Sequence, residues 1–171
     1  MLKGLFSIDF VVGLSIFIVA ILLISPMWQS MNTQAENLER SRDMQATAAS
    51  ATDILLRTTG SPPQWNNTYV KSIGLIDSDE RVLDANKSRY LFLYIESNYS
   101  DAKWRLGAGA YEMGAEIANK SGSPINYRGV TFTNNTISPD AREVAIAQRV
   151  AILKYNDTSM EFVNLKITIW R

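Results

Sequence analysis

The chain predicts an α+β fold: a long N-terminal membrane helix, then a small antiparallel-sheet domain with one or two short helices. Three observations predict it. An uncharged apolar run occupies residues 10–28, helix-forming residues continue it to Leu56, and period-two alternation takes over in the last third. At 171 residues there is room for one membrane segment and one ordinary domain.

Residues 10–35 carry no charge, and as a helix the stretch 10–28 would span roughly 28 Å at about 1.5 Å per residue, near the bilayer's hydrocarbon thickness. A secretory signal peptide would have a shorter apolar core and a small-x-small cut just after it. Here the run passes into Ser25-Pro26-Met27-Trp28-Gln29 with no such site. A plain single-pass anchor fits the length, with Lys3 on the cytoplasmic side. It leaves Asp9 without a reason, since an unpaired carboxylate facing lipid costs about 2–3 kcal/mol or more.

Past the apolar run, Met27, Met31, Ala35, Leu38, Arg42, Gln45, Ala49 and Leu56 fall near one helical face. Gly60-Ser61-Pro62-Pro63 ends the pattern. A helix from Phe6 to about Thr58 would be roughly 80 Å long. Pro26 within it should kink it or melt one turn, and two helices broken at Ser25-Pro26 are the alternative.

In the remainder, residues 70–76 read as a short strand or extended segment and 77–81 as a polar turn. Asp84 is placed to cap a helix through Lys87 to Ile95, although Tyr90–Ile95 alone also fits a buried strand. Ser100 is expected to cap a second short helix, 101–106, stopped by Gly107. Tyr111, Met113, Ala115 and Ile117 share a strand face, as do Val130 with Phe132, and Val144 with Ile146 and Gln148. Val150, Ile152, Phe162 or Val163, Leu165, Ile167 and Ile169 are expected to add to the core, with a turn at Asn156-Asp157 joining two long C-terminal strands. About four strands result. Trp65, Tyr99 and Trp104 are expected to plug the core.

Charge and chemistry narrow the function. Lysine plus arginine equals aspartate plus glutamate, 17 each, so no basic face invites nucleic acid. Neutral surfaces pack against copies of themselves without long-range repulsion. With no histidine or cysteine, Ser-His and Cys-His pairs, the common zinc ligand sets and disulfides are all excluded. A surface hydrolase reading would rest on carboxylates such as Asp77, Asp79 and Glu80, and such polar clusters are usually solvated turns. Neither an enzyme nor a cofactor is expected.

Asn-x-Ser/Thr sequons stand at Asn66, Asn86, Asn98, Asn119, Asn134 and Asn156, all after the apolar run. They suit N-linked glycans on an extracytoplasmic domain, although asparagine also serves turns for its own reasons.

The segment Lys3-Gly4-Leu5-Phe6-Ser7-Ile8-Asp9-Phe10 resembles the signal of archaeal type IV pilins, usually written Lys-Gly-Gln-x-Ser-x-Glu-Phe. Leu5 stands where that signal has glutamine, and Asp9 where it has glutamate. The resemblance implies cleavage after Gly4 by a prepilin peptidase. Residues 1–4 are then the leader, 5–58 the long helix with its membrane half at 10–28, and 59–171 the extracellular domain. It also implies that Asp9 pairs with the α-amino group of a neighbour's Leu5, and that Phe10 begins the packing surface. A pair of buried charges that neutralise only in register rewards one docking geometry. Gly60-Ser61-Pro62-Pro63-Gln64-Trp65, Ile73-Gly74-Leu75, Lys87, Asn98-Tyr99-Ser100 to Lys103 and Leu106-Gly107 are similar to uncharacterised archaeal proteins that join such a signal to one α+β domain. That likeness brings no catalytic residue.

The expected function is therefore a structural subunit of an archaeal pilus-like filament. Its expected partners are copies of itself, an assembly ATPase and its membrane platform. It would reside in the cell membrane as a precursor and in a surface filament when mature. A minor pilin or pseudopilin, and a membrane-anchored binding protein or sensor that never polymerises, stay open. An archaellin fits less well, because those subunits resemble a glycine- and threonine-rich start.

Overall fold

The computed structural model describes residues 8–77 and 79–171. Helix α1 spans Ile8–Arg57 and runs without a break through Pro26. Residues to Arg40 form one compact unit, and those from Ser41 form another.

In the second unit the last turns of α1 bury Met44, Ala48, Ala51, Thr52 and Leu55, a spacing of three and four that presents one stripe to a core. The Thr52 hydroxyl donates to Ala48 O, which makes its burial tolerable. A helix C-terminus leaves carbonyls without intrahelical donors. Here the following loop supplies them: Leu75 N–H donates to Leu55 O, Arg81 N–H to Leu56 O and Ile76 N–H to Thr58 O.

Residues 70–76 are extended, with bridges Ser61↔Ser72 and Ile76↔Leu83, and form no strand of their own. Strand β1 (Val82–Asp84) leads directly into α2 (Ala85–Ser97). Asp84 caps α2 as expected, its Oδ1 accepting from Asn86 N at 2.6 Å and Lys87 N at 2.9 Å. The buried residues Ala85, Ser88, Leu91, Phe92 and Ile95 recur at helical spacing, which settles the 90–95 ambiguity as helix. Helix α3 (Tyr99–Arg105) starts earlier than expected, with Asn98 rather than Ser100 at its N-cap and no side-chain cap bond.

The remaining strands are β2 (Glu112–Ala118), β3 (Asn126–Tyr127), β4 (Val130–Thr131), β5 (Val144–Asn156) and β6 (Ser159–Trp170). Arg128 and Gly129, both at positive φ, make the tight turn between β3 and β4. The four-stranded sheet has the order β1-β5-β6-β2. Three of its strands are antiparallel, but β1 pairs parallel with β5, so the sheet is mixed rather than purely antiparallel. The crossover follows from α2 and α3 lying between β1 and the rest in chain order. The 156–159 hairpin forms as expected.

Two expectations about the core are corrected. Trp65 and Phe132 are buried, but Trp104 is exposed and lies flat over Gly109, where an added Cβ would stand 2.7 Å from the ring. In β5 the inward residues are Ala145, Ala147, Ala151 and Leu153, whereas Val144, Ile146 and Val150 face outward with Phe162 of β6. Alanine carries a weak hydrophobic signal, so larger neighbours of the opposite parity drew the expectation to the wrong face. Val163, Leu165, Ile167 and Ile169 are buried as expected.

Candidate assembly surfaces

Among the described residues, α1 is the helix long and apolar enough to cross a membrane. Its side chains from Phe10 to Ile24 are largely exposed, Phe10 included. Two hydroxyls within and beside the apolar run turn inward to the helix backbone: Ser15 Oγ donates to Val11 O and Thr33 Oγ1 to Gln29 O. Nothing polar on those two side chains is left facing hydrocarbon. Lys3, Gly4 and Leu5 lie outside the described residues, and so does the side chain of Asp9.

Exposed apolar surface continues past the membrane-length segment. Trp28, Met31 and Leu38 are 64%, 56% and 61% exposed, and they follow one another at intervals of three and seven along α1. Residues at this spacing share a stripe, the kind that packs against another helix. Leu55, seventeen residues after Leu38 on the same helix, is by contrast fully buried in the domain. One helix thus carries an open apolar stripe in its first unit and a closed one in its second.

Of the residues carrying the second sequence resemblance, Gly60, Trp65, Gly74 and Lys87 meet at the end of α1. Trp65 Nε1 donates to Gly74 O at 2.8 Å. Gly60, at φ +76°, leaves the space the Trp65 ring needs, and Gly74 has backbone of Thr58 and Gly60 where a Cβ would go. Lys87 Nζ donates to Thr59 O at 3.0 Å and Ile76 O at 2.7 Å. Burial pulls the Lys87 ammonium below its ordinary value, with Asp84 and Asp77 opposing that shift. These are the chemistries of a structural junction: the Trp65 indole and the Lys87 ammonium both donate to backbone carbonyls.

Several other titratable groups hold elements together. Lys103, on α3, pairs with Glu112 of β2 at 2.9 Å, and the Tyr99 hydroxyl also donates to Glu112 at 2.8 Å. Burial chiefly pushes Tyr99 up to about 12, while the Lys103 and Tyr99 hydrogen bonds hold Glu112 below its ordinary value. Lys154 bridges Asp77 and Asp157, each at 2.8 Å, and both bonds raise it. Asp77 is thus engaged in an ion pair. A cleft of about 390 Å³ beside α2 is lined by Phe92, Leu93, Glu96, Thr131, Thr133 and Asn134, with Glu96 its one titratable side chain. Among the described residues no group of three or more acidic, histidine or cysteine side chains could hold a metal.

The six sequons divide in two. At Asn66, Asn119 and Asn156 the Oδ1 accepts from both the N–H and the hydroxyl of the Ser or Thr two residues on. These three close turns and leave Nδ2 without a bond from the sequon itself. Asn86 lies in the first turn of α2 and accepts from Arg128, Asn98 stands between α2 and α3, and Asn134 is held by a backbone bond to Ala115 O. The side-chain bonding within the first three is visible only in three dimensions.

On the sheet's outer face Ile146, Val150, Met160 and Phe162 are each more than half exposed. Lys120 Nζ sits 4.9 Å from the Phe162 ring centre, a cation–π contact that covers part of it. Sequence reasoning assigned Ile146's face and Val150 to the core and so missed this patch. No family model, curated protein or solved structure matches the chain.

Proposed function

We propose that this chain is a structural subunit of an archaeal type IV pilus-like surface filament, processed after Gly4 and assembled through α1. The observation that carries the reading is the exposed apolar stripe running on to Leu38. From Phe10 to Leu38 the helix rises roughly 42 Å, well beyond the ~30 Å of hydrocarbon a plain anchor must span. Apolar side chains past that length gain nothing from lipid and are satisfied by a neighbouring helix.

Asp9 and the Leu5 amine supply the register of docking, and the stripe from Phe10 supplies the packing. The part of the chain after the apolar run, with 16 basic and 16 acidic residues, allows close stacking of copies, and glycans at the sequons would hydrate the outer surface. The partners are other subunits, a prepilin peptidase, an assembly ATPase with its platform, and the membrane before assembly. No bond-making step is assigned to the chain.

The mass of the mature N-terminus tests this first. A chain beginning at Leu5 is expected; a functional protein that retains Met1 overturns the proposal. Asp9→Ala should leave membrane insertion intact and lower filament incorporation, and assembly at the unaltered level would remove the pairing role.

A further inference from the structure

The four-stranded sheet has two outer strands and four stretches of edge, of which two are covered; the shorter open one, residues 159–163 of β6, runs past the end of β2 and turns only Met160 and Phe162 outward. Along β1 the loop at 75–77 pairs back, with Asp77 N donating to Val82 O and Asp84 N to Leu75 O. Along β2, Ile117 N donates to Phe132 O, Ile125 N to Ile117 O and Asn134 N to Ala115 O. The longer open stretch belongs to β5, because β1 pairs only with residues 152–154. Residues 144–150 therefore have β6 on one side and no strand on the other among the described residues.

Which groups point outward follows from alternation along an antiparallel strand. Glu143 O accepts from Arg171 N, so odd residues face β6; Ile152 N donates to Arg81 O, so even residues face the free edge. Val144, Ile146, Gln148 and Val150 thus present their N–H and C=O groups outward. The register is unbroken from 144 to 154, with no bulge to twist this edge away. There is no proline, and the side chains standing over it include the exposed Val144, Ile146 and Val150. Such an edge is a template for another strand.

We infer that β5 is a homotypic docking edge: residues 144–150 pair antiparallel with the same residues of a second copy, about a two-fold axis at Ala147. The occupant follows from the arrangement. The open stretch of β6 turns two residues outward against four on β5, so the pairing with the most backbone hydrogen bonds joins β5 to a second β5, which is isologous and closes at two. The segment also matches itself. A two-fold at Ala147 sets Val144 opposite Val150 and Ile146 opposite Gln148, all outward-facing, giving about eight backbone hydrogen bonds. It also joins the exposed valines into one apolar strip across the seam.

Arg149 guards this edge. Its Nη1 donates to Gln148 O at 3.1 Å, occupying an acceptor the second copy would use. Seven residues of edge also make an interface smaller than the ~1,600 Å² of a standard stable complex. The pairing is accordingly weak in dilute solution and favoured where subunits are concentrated in a membrane. It is separate from the helix contacts proposed above, and either can fail alone.

The chain has no cysteine, so introduced ones report cleanly. Full-length Ile146→Cys and Gln148→Cys chains, both altered at exposed positions, are mixed in native membranes and oxidised. The mixture should cross-link at least five-fold more than either variant alone. Val144→Cys alone should not cross-link, since the two-fold holds its copies roughly 20 Å apart. Arg149→Ala should raise the yield of the mixture. Equal yields from the mixture and the single variants, strong Val144→Cys self-linking, or no cross-link in any sample would each overturn the inference.

Discussion

Leu38 and Leu55 are the same residue on the same helix in opposite surroundings, which makes alanine substitution of each a test of how α1 divides its work. Leu55 is fully buried, and its carbonyl holds Leu75 N–H, so the site cannot collapse around a lost side chain. Leu55→Ala should cost about 3–4 kcal/mol, within the upper part of the range for leucine truncation. With a urea slope of about 2 kcal/mol per molar, the midpoint should fall by roughly 1.5–2 M. Leu38→Ala removes no buried contact within the subunit and introduces a better helix former, so the change should stay within about 0.5 kcal/mol. Its effect should appear in assembly. Covering the 61% of Leu38 that is exposed would be worth about 1–2 kcal/mol per subunit, or roughly 5- to 30-fold in the subunit concentration needed for filaments. Circular dichroism in urea, on full-length protein in detergent, reads the first quantity; filament yield sheared from cells reads the second. A midpoint shift from Leu38→Ala as large as that from Leu55→Ala, or an unchanged filament yield, would refute this division.

Three further outcomes are expected. Trp65→Phe keeps most of the ring but leaves Gly74 O without its donor, and should cost about 1–3 kcal/mol in the same denaturation assay. Gly74→Ala forces a methyl into the backbone of Thr58 and Gly60, neither of which can yield. It should cost about 3 kcal/mol or more and lower the yield of folded protein. Glu112 has a folded value below its ordinary 4.5, so the unfolded chain takes up its proton first. Its contribution is whole above pH 4.5 and fades as pH falls through the lowered value, a slope that Glu112→Gln should flatten in acid-denaturation curves.

The long helix was legible because its period and its lack of charge extend over many turns, and Asp84 was legible as a cap because its role is local. The sheet's parity was not. In β5 the alanines face the core while Val144, Ile146 and Val150 face out, and residue size alone points the other way. The parallel pairing of β1 with β5 joins Val82 to Ile152, seventy residues apart, and no local pattern encodes it. Trp104 misled because an aromatic ring can spread its surface over a glycine backbone as well as into a core. The sequons could be counted in the sequence, but whether an asparagine closes its own turn depends on backbone geometry. Of the proposed assembly signal, residues 3–5 and the Asp9 side chain lie outside the described structure, so that part of the proposal rests on sequence alone.

The strand order β1-β5-β6-β2 places the last element of the chain in the middle of the sheet, its residues Leu165, Ile167 and Ile169 fully buried. A ribosome delivers α1 first and β6 last, so the apolar helix is available for membrane insertion while the sheet still lacks its centre. Until β6 arrives, β2 and β5 have no common partner and their inward faces stay wet. On the proposed reading, biogenesis is thereby ordered in time, anchoring first and closure last. A chain cut short before β6 would carry an open domain, recognisable to proteases as unfinished.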